Sequence, residues 1–190
     1  MLNALRNTDM SRTTPAPVLP SAGRVSPRVS RLSVTAFRNY TSARMDVSAS
    51  AIVLTGPNGA GKTNLLEAVS FLTPGRGLRR ARISEVGRAE ADGSNATWAV
   101  SAEVGGMAGS VQIGTGRDPG PEGTGRDGGE KRLVRIDGAP AKSQTVLAEH
   151  LAVSWLTPQM DRLFIEGSSN RRRFLDRLVY AFDPDHATRV

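Results

Sequence analysis

The chain has 190 residues, a formal net charge of +7 and no cysteine. That length supports one domain with a real core, while the absent thiols exclude disulfides and thiolate-bound metal and fit a reducing cytoplasm. The basic excess, 22 arginines and three lysines against 18 acidic residues, suits a nucleic acid or an anionic nucleotide, or reflects only a G+C-rich genome. Two histidines argue against a histidine-built metal centre, and no apolar run approaches the ~20 residues that cross a bilayer.

Residues 1–27 carry four prolines and little apolar periodicity, which predicts a disordered tail without the apolar core of a secretory signal. From Arg28 onward "RLSVTAFRNY" alternates Leu32, Val34 and Ala36, the period of a strand with one buried face. "ARMDVSA" reads as a weaker second strand, and "SAIVLTG" as a short buried strand feeding a turn. Next, Leu65, Leu66, Val69 and Leu72 recur at helical spacing until Pro74 ends the helix.

"ATWAVSAEV", "GSVQIG" and "KRLVRIDG" follow as strands, the last closing on an Asp-Gly turn signal. Between the last two, "GTGRD" occurs twice in a Gly/Pro/Asp-rich stretch, residues 114–131, which predicts a long hairpin loop grown by duplication. "SQTVLAEHLA" predicts a short helix and "AVSWLTP" a strand. From Ser168 a capped helix should present Phe174, Leu175, Leu178, Val179 and Phe182 on one face. This order gives an α/β fold: a mixed sheet with an antiparallel subsheet, organised as a tail (1–27), a lobe (28–167) and the start of a helical second lobe (168–190).

The chemistry concentrates in Gly56-Pro57-Asn58-Gly59-Ala60-Gly61-Lys62-Thr63, which satisfies G-x-x-x-x-G-K-[ST] between an apolar run and an amphipathic helix. A triphosphate needs several backbone N–H donors at close range, and glycine alone lets the backbone approach so closely with positive φ. The helix beginning near Lys62 contributes unpaired N–H groups and the positive end of its dipole. The Lys62 ammonium suits the β- and γ-phosphates, and the Thr63 hydroxyl suits Mg²⁺. The motif therefore predicts ATP and Mg²⁺ as cofactors.

"FRNY" at 37–40, "GPNGAGKTNLLEAV" and "SSNRRRFLDRLV" occur in an order that resembles the RecF family, P-loop NTPases of ABC/SMC-head type. The resemblance covers about residues 28–190, and "LTPQMDRLFIEG" fits it too. It implies that Arg38 reaches toward nucleotide, with a solvated turn arginine as the alternative, and that Gln159 touches the metal and the attacking water. It implies DNA as a partner, at single-stranded/double-stranded junctions, faced by Arg79, Arg80 and Arg82 or by a loop that is merely solvated. Arg171 and Arg172 are further candidates. With Arg173 they occupy consecutive helical positions ~100° apart, so the three cannot share one ligand, and one of them can pair with Asp176.

The resemblance further implies RecR and RecO as partners, an ATP-dependent homodimer, no membrane, and a role in DNA replication, damage repair and the SOS response. It implies a weak DNA-dependent ATPase in a full-length member. An apolar strand ending in Asp-Glu, which such heads use for metal and catalytic water, is not found in this sequence, so the chain alone is expected to bind nucleotide with negligible turnover. A non-catalytic ATP-binding remnant and a transporter nucleotide-binding subunit are the competing readings. A GTPase is disfavoured because N-K-x-D is missing.

Overall fold

In the computed structural model, residues 27–106, 109–117, 132–158, 160, 165 and 167–180 are described. Six strands form one sheet: β1 (Arg28–Phe37), β2 (Tyr40–Asp46), β3 (Ala99–Gly106), β4 (Gly109–Arg117), β5 (Arg132–Ile136) and β6 (Ala139–Pro140). Their order is β2-β1-β3-β4-β5-β6, and every pairing is antiparallel. Three helices accompany the sheet: α1 (Lys62–Ser70), α2 (Leu147–His150) and α3 (Ser168–Tyr180).

The expected alternation holds in β1 as far as Leu32 and Val34, both buried. It fails at Ala36, which is half-buried, while Phe37 takes the core position. The cause is local: Ala36 has φ 48, and the twist it introduces turns Phe37 inward. β3 keeps strict period two, with Val100, Ala102 and Val104 buried, and Trp98 just before it continues the buried row. The Asp-Gly signal is a tight turn between β5 and β6, with φ 49 at Asp137 and φ 81 at Gly138. β4 runs four residues into the stretch expected to be loop, and the rest of that stretch, 118–131, lies outside the described residues, as do residues 1–26 of the expected tail.

One sheet face carries the core. Leu32, Val34, Phe37, Val100, Ile113 and Val134 meet Ala68, Phe71 and Leu72 from and just beyond α1. Phe37, Phe71 and Trp98 form an aromatic cluster with centroids 5.1–6.0 Å apart, mostly edge to face. Trp98 Nε1 donates to Ile83 O at 2.8 Å, so its polar edge is satisfied inside the core.

Three sequence expectations are corrected. "SAIVLTG" and "AVSWLTP" are not strands: residues 52–56 and 151–157 have no regular structure, with Val53 83% and Leu156 78% exposed. A strand exists only through ladder bonds to neighbours, and no pairing partner for either segment occurs among the described residues. Third, Leu65, Val69 and Leu72 pack against the core as expected, but Leu66 does not. Glu67, Ala68 and Ser70 are buried, whereas Leu66 is 56% exposed. Similarly, α3 leaves Leu175 and Val179 exposed on the stripe expected to be covered, and Phe182 lies outside the described residues. The short helical segment is as expected, a 3-10 turn at Gln144–Val146 leading into α2, with Ser143 Oγ accepting from Thr145 N.

Candidate nucleotide site

The loop Gly56–Gly61 joins an exposed extended segment to α1, and its residues 55–60 are exposed. Gly56, Gly59 and Gly61 have φ 142, 83 and 99, the left-handed region that side chains resist. At Gly61 the requirement is also steric. A Cβ there would lie 2.6 Å from Tyr40 Oη and 2.8 Å from Asn39 Nδ2. The β1–β2 turn therefore presses on the loop just where the helix begins.

Gly61 is the N-cap of α1. No side chain caps the helix, and its first turn holds no acidic residue. The positive end of the helix dipole is thus left for a ligand anion. Lys62 Nζ donates to Gly56 O at 2.7 Å and Pro57 O at 2.8 Å, which folds the ammonium back over the loop it follows. A phosphate oxygen would compete with those carbonyls for the same donors. The Thr63 hydroxyl is exposed beside it, in reach of solvent and any hydrated cation. Glycines in a left-handed cradle, an uncapped helix start and one ammonium fit a nucleotide triphosphate. Pro57, Asn58 and Ala60 form the exposed turn between them, closed by Ala60 N to Pro57 O at 3.3 Å.

Arg38 sits in the turn between β1 and β2, next to the Asn39 and Tyr40 that meet Gly61, and its partner is a carboxylate that the sequence reading did not single out. Its Nε donates to Glu67 Oε2 at 2.9 Å and its Nη2 to Glu67 Oε1 at 2.7 Å, a two-pronged pair on a fully buried carboxylate. Its Nη1 donates to Glu85 O at 2.8 Å. Arg79 joins the same carboxylate, donating from Nη1 to Glu67 Oε2 at 2.6 Å and to Asn64 Oδ1 at 2.7 Å. Asn64 in turn donates to Asn39 Oδ1 at 2.8 Å. Glu67 was legible in principle: Asn64, Glu67, Ala68 and Phe71 keep helical spacing, but a stripe carrying a carboxylate looks like solvent face until its partners are known.

The other proposed site residues disperse. Arg79 is held on Glu67, whereas Arg80 is exposed with φ 55 and, with Arg76, lines an open cavity of about 540 Å³. Arg82 is exposed and 4.0 Å from Glu85. Arg172 is exposed on α3 and Arg171 half-buried there. Gln159 lies outside the described residues. Among the described residues no cluster of three or more acidic, histidine or cysteine ligands could hold a metal, and no helix is long and apolar enough to cross a membrane.

A second unforeseen residue organises the exit from α1. Arg132, half-buried on β5, donates to Phe71 O and, at 3.1 Å, to Thr73 O. It also donates to Gly75 O at 2.8 Å, Gln144 Oε1 at 3.1 Å and Thr115 Oγ1 at 2.6 Å. Its guanidinium stands 5.4 Å from the Phe71 ring centroid. Burial pushes its pKa down to about 10, still well above neutrality, so the cation remains to cap the carbonyl end of the helix.

The sheet, the glycine cradle and the helix it opens define a P-loop head of the RecF/RecN/SMC class. The family model described as "RecF/RecN/SMC N terminal domain" matches residues 28–112. Within that class the chain is similar to RecF proteins. It is 52% identical over 162 residues to the DNA replication and repair protein RecF of Rhizobium rhizogenes, and 53% identical over 162 residues to that of Agrobacterium fabrum. These matches cover 85% of this chain and 41% of each relative, so the chain spans about two fifths of their length. Two solved structures share the fold. The recombination mediator protein RecF-ATPrS in the RecFOR pathway gives a TM-score of 0.71 at 22% identity, covering 85% of this chain and 40% of that one. RecF-ATP gives 0.67 at 23%, covering 83% and 40%.

Proposed function

We propose that this chain carries the ATP-binding lobe of a RecF-type DNA replication and repair protein. The observation behind the proposal is the glycine cradle at Gly56–Gly61, opening onto an uncapped helix that begins with Lys62. In this reading Gly56–Gly61 wrap the phosphates with backbone N–H groups, and Lys62 leaves its loop carbonyls for the β- and γ-phosphate oxygens. Thr63 would ligate Mg²⁺, which neutralises phosphate charge when bound, and Gln159 would touch the same ion. Arg38 would stand beside the nucleotide. Residues 28–167 would form this lobe, and 168–190 would lead into a helical second lobe.

ATP acts here as a switch for holding DNA. Two such heads close around the nucleotide, and the closed dimer grips duplex DNA at single-stranded junctions in concert with RecR and RecO, in the cytoplasm. Among the candidate arginines, Arg80, Arg82 and Arg172 would offer phosphate contacts; Arg79, though exposed, is held on Glu67, and Arg171 is half-buried. Such contacts would be insensitive to sequence and steeply weakened by salt. The chain alone binds nucleotide with negligible turnover.

Titration of a fluorescent ATP analogue onto this chain and its Lys62→Ala variant tests the reading. Wild type should bind, and the variant should lose at least about tenfold in affinity, as expected for one charge-assisted phosphate contact. Equal affinities would remove the cradle from the nucleotide site.

A further inference from the structure

Glu67 combines two properties that rarely coexist: its side chain has no exposure, and it carries a charge. Isolated, a buried carboxylate would be strongly unfavourable. Two guanidiniums make it tolerable, and they hold it differently. Arg38 grips both oxygens as a fork, with its side chain only 20% exposed. Arg79 touches one oxygen through one nitrogen and is 41% exposed. The bond from Arg38 to Glu85 O and the left-handed backbone at Arg38, φ 54, further fix that turn. The next two residues of the turn, Asn39 and Tyr40, sit against Gly61, and Tyr40 Oη donates to Ala60 O at 3.4 Å.

We propose that Glu67 is a positioning residue of the nucleotide site: by gripping Arg38 it fixes the β1–β2 turn, whose Asn39 and Tyr40 abut the glycine loop, and Arg79 clamps the carboxylate in place. The proposal rests on reading the loop as a nucleotide site and adds how the turn that presses on it is held. A carboxylate five residues beyond Lys62 is otherwise a liability, because negative charge near a polyphosphate opposes binding. It is tolerated if fixing the Arg38 turn against the loop outweighs the repulsion. Arg79 also pins Asn64, so the basic segment following α1 is tied to the same knot as the β1–β2 turn.

This gives an electrostatically perverse prediction. Glu67→Gln removes a negative charge yet should weaken binding of the fluorescent ATP analogue by about tenfold, because Arg38 is no longer held in a charged fork. The loss must act through Arg38. In an Arg38→Gln background the same substitution should cost less than about twofold, the non-additivity expected of coupled residues. Arg79→Gln should weaken binding by about threefold, and again only while Arg38 is present. This variant serves where Glu67→Gln does not fold, as judged by circular dichroism. Lys62→Ala is carried alongside. If it abolishes binding while Glu67→Gln leaves affinity unchanged or raised, the positioning role falls and the nucleotide reading stands. If the Glu67 and Arg38 effects simply add, Glu67 is structural and the proposal is overturned. If wild type binds no analogue, the nucleotide reading falls and the proposal falls with it.

Discussion

Replacing Arg132 with methionine keeps a long unbranched side chain on β5 but removes the guanidinium donors that meet the Phe71 and Thr73 carbonyls. Phe71 is fully buried and Thr73 is 7% exposed, so the carbonyls of these two residues have little access to water once the guanidinium is gone. Each stranded acceptor costs about 1–3 kcal/mol, and loss of the cation from the Phe71 ring adds about 0.5–2 kcal/mol. The solvation that burial takes from the guanidinium, visible as its pKa held down to about 10, is recovered in the variant and offsets part of this. Gly75 O and Gln144 Oε1 are exposed and rehydrate at little cost. The net expectation is a loss of about 2–4 kcal/mol, a large share of the ~5–15 kcal/mol that holds a typical domain. Urea unfolding at pH 7, followed by tryptophan fluorescence, should show a lower midpoint at unchanged slope. Arg132→Lys, which keeps the charge but not the fork, should fall between wild type and the methionine variant. A loss below about 1 kcal/mol for Arg132→Met would refute the assignment of the cap to this side chain.

Gly61→Ala should destabilise by more than Gly59→Ala in the same melts, by at least about 1 kcal/mol, because only at Gly61 does a new Cβ strike Tyr40 and Asn39 in addition to the positive φ both share. Trp98→Phe should lose about 1 kcal/mol, the worth of the bond to Ile83 O, while keeping the aromatic packing. Asp46 has its pKa lowered below 3.8, chiefly by the hydrogen bond from Arg31. A depressed carboxylate contributes stability above the unfolded pKa and loses it as pH falls through the folded one, so Asp46→Asn should flatten the stability profile below pH 3.8, measured by acid titration of ellipticity. For duplex binding, Arg80→Gln should reduce the slope of log affinity against log salt by about one unit if this arginine contacts a phosphate, measured by fluorescence anisotropy.

What the sequence revealed and what it withheld divide along physical lines. The glycine cradle was readable because its turns need positive φ, which only a few residue types permit, at fixed spacing. β3 was readable because one face is uniformly buried, so period two survives intact. Ala36 and Phe37 were misassigned because a left-handed residue shifts the alternation by one, and nothing in alanine announces that conformation. The segments at 50–56 and 152–158 have strand composition, but composition supplies only a preference, while a strand also needs a neighbour to bond. On α1, Leu66 was misplaced and Glu67 missed because a leucine outweighs a glutamate in any apolar count. The structure buries the glutamate because two arginines, 29 and 12 residues away in sequence, converge on it. Arg132 gave no local signal at all, since its partners come from the end of α1, from β4 and from the turn before α2.

The pairing of β1 with β3 has a kinetic corollary. Thr35 opposes Ala99, so the whole phosphate loop and α1 are threaded through the excursion that this pairing closes. The β1–β2 hairpin can zip early because its ends are adjacent, whereas the long excursion must be closed against chain entropy before α1 has a sheet to rest on. The cradle is then among the last parts to assemble and the first to open. Nucleotide captured there should retard denaturation while leaving the rate of collapse almost untouched.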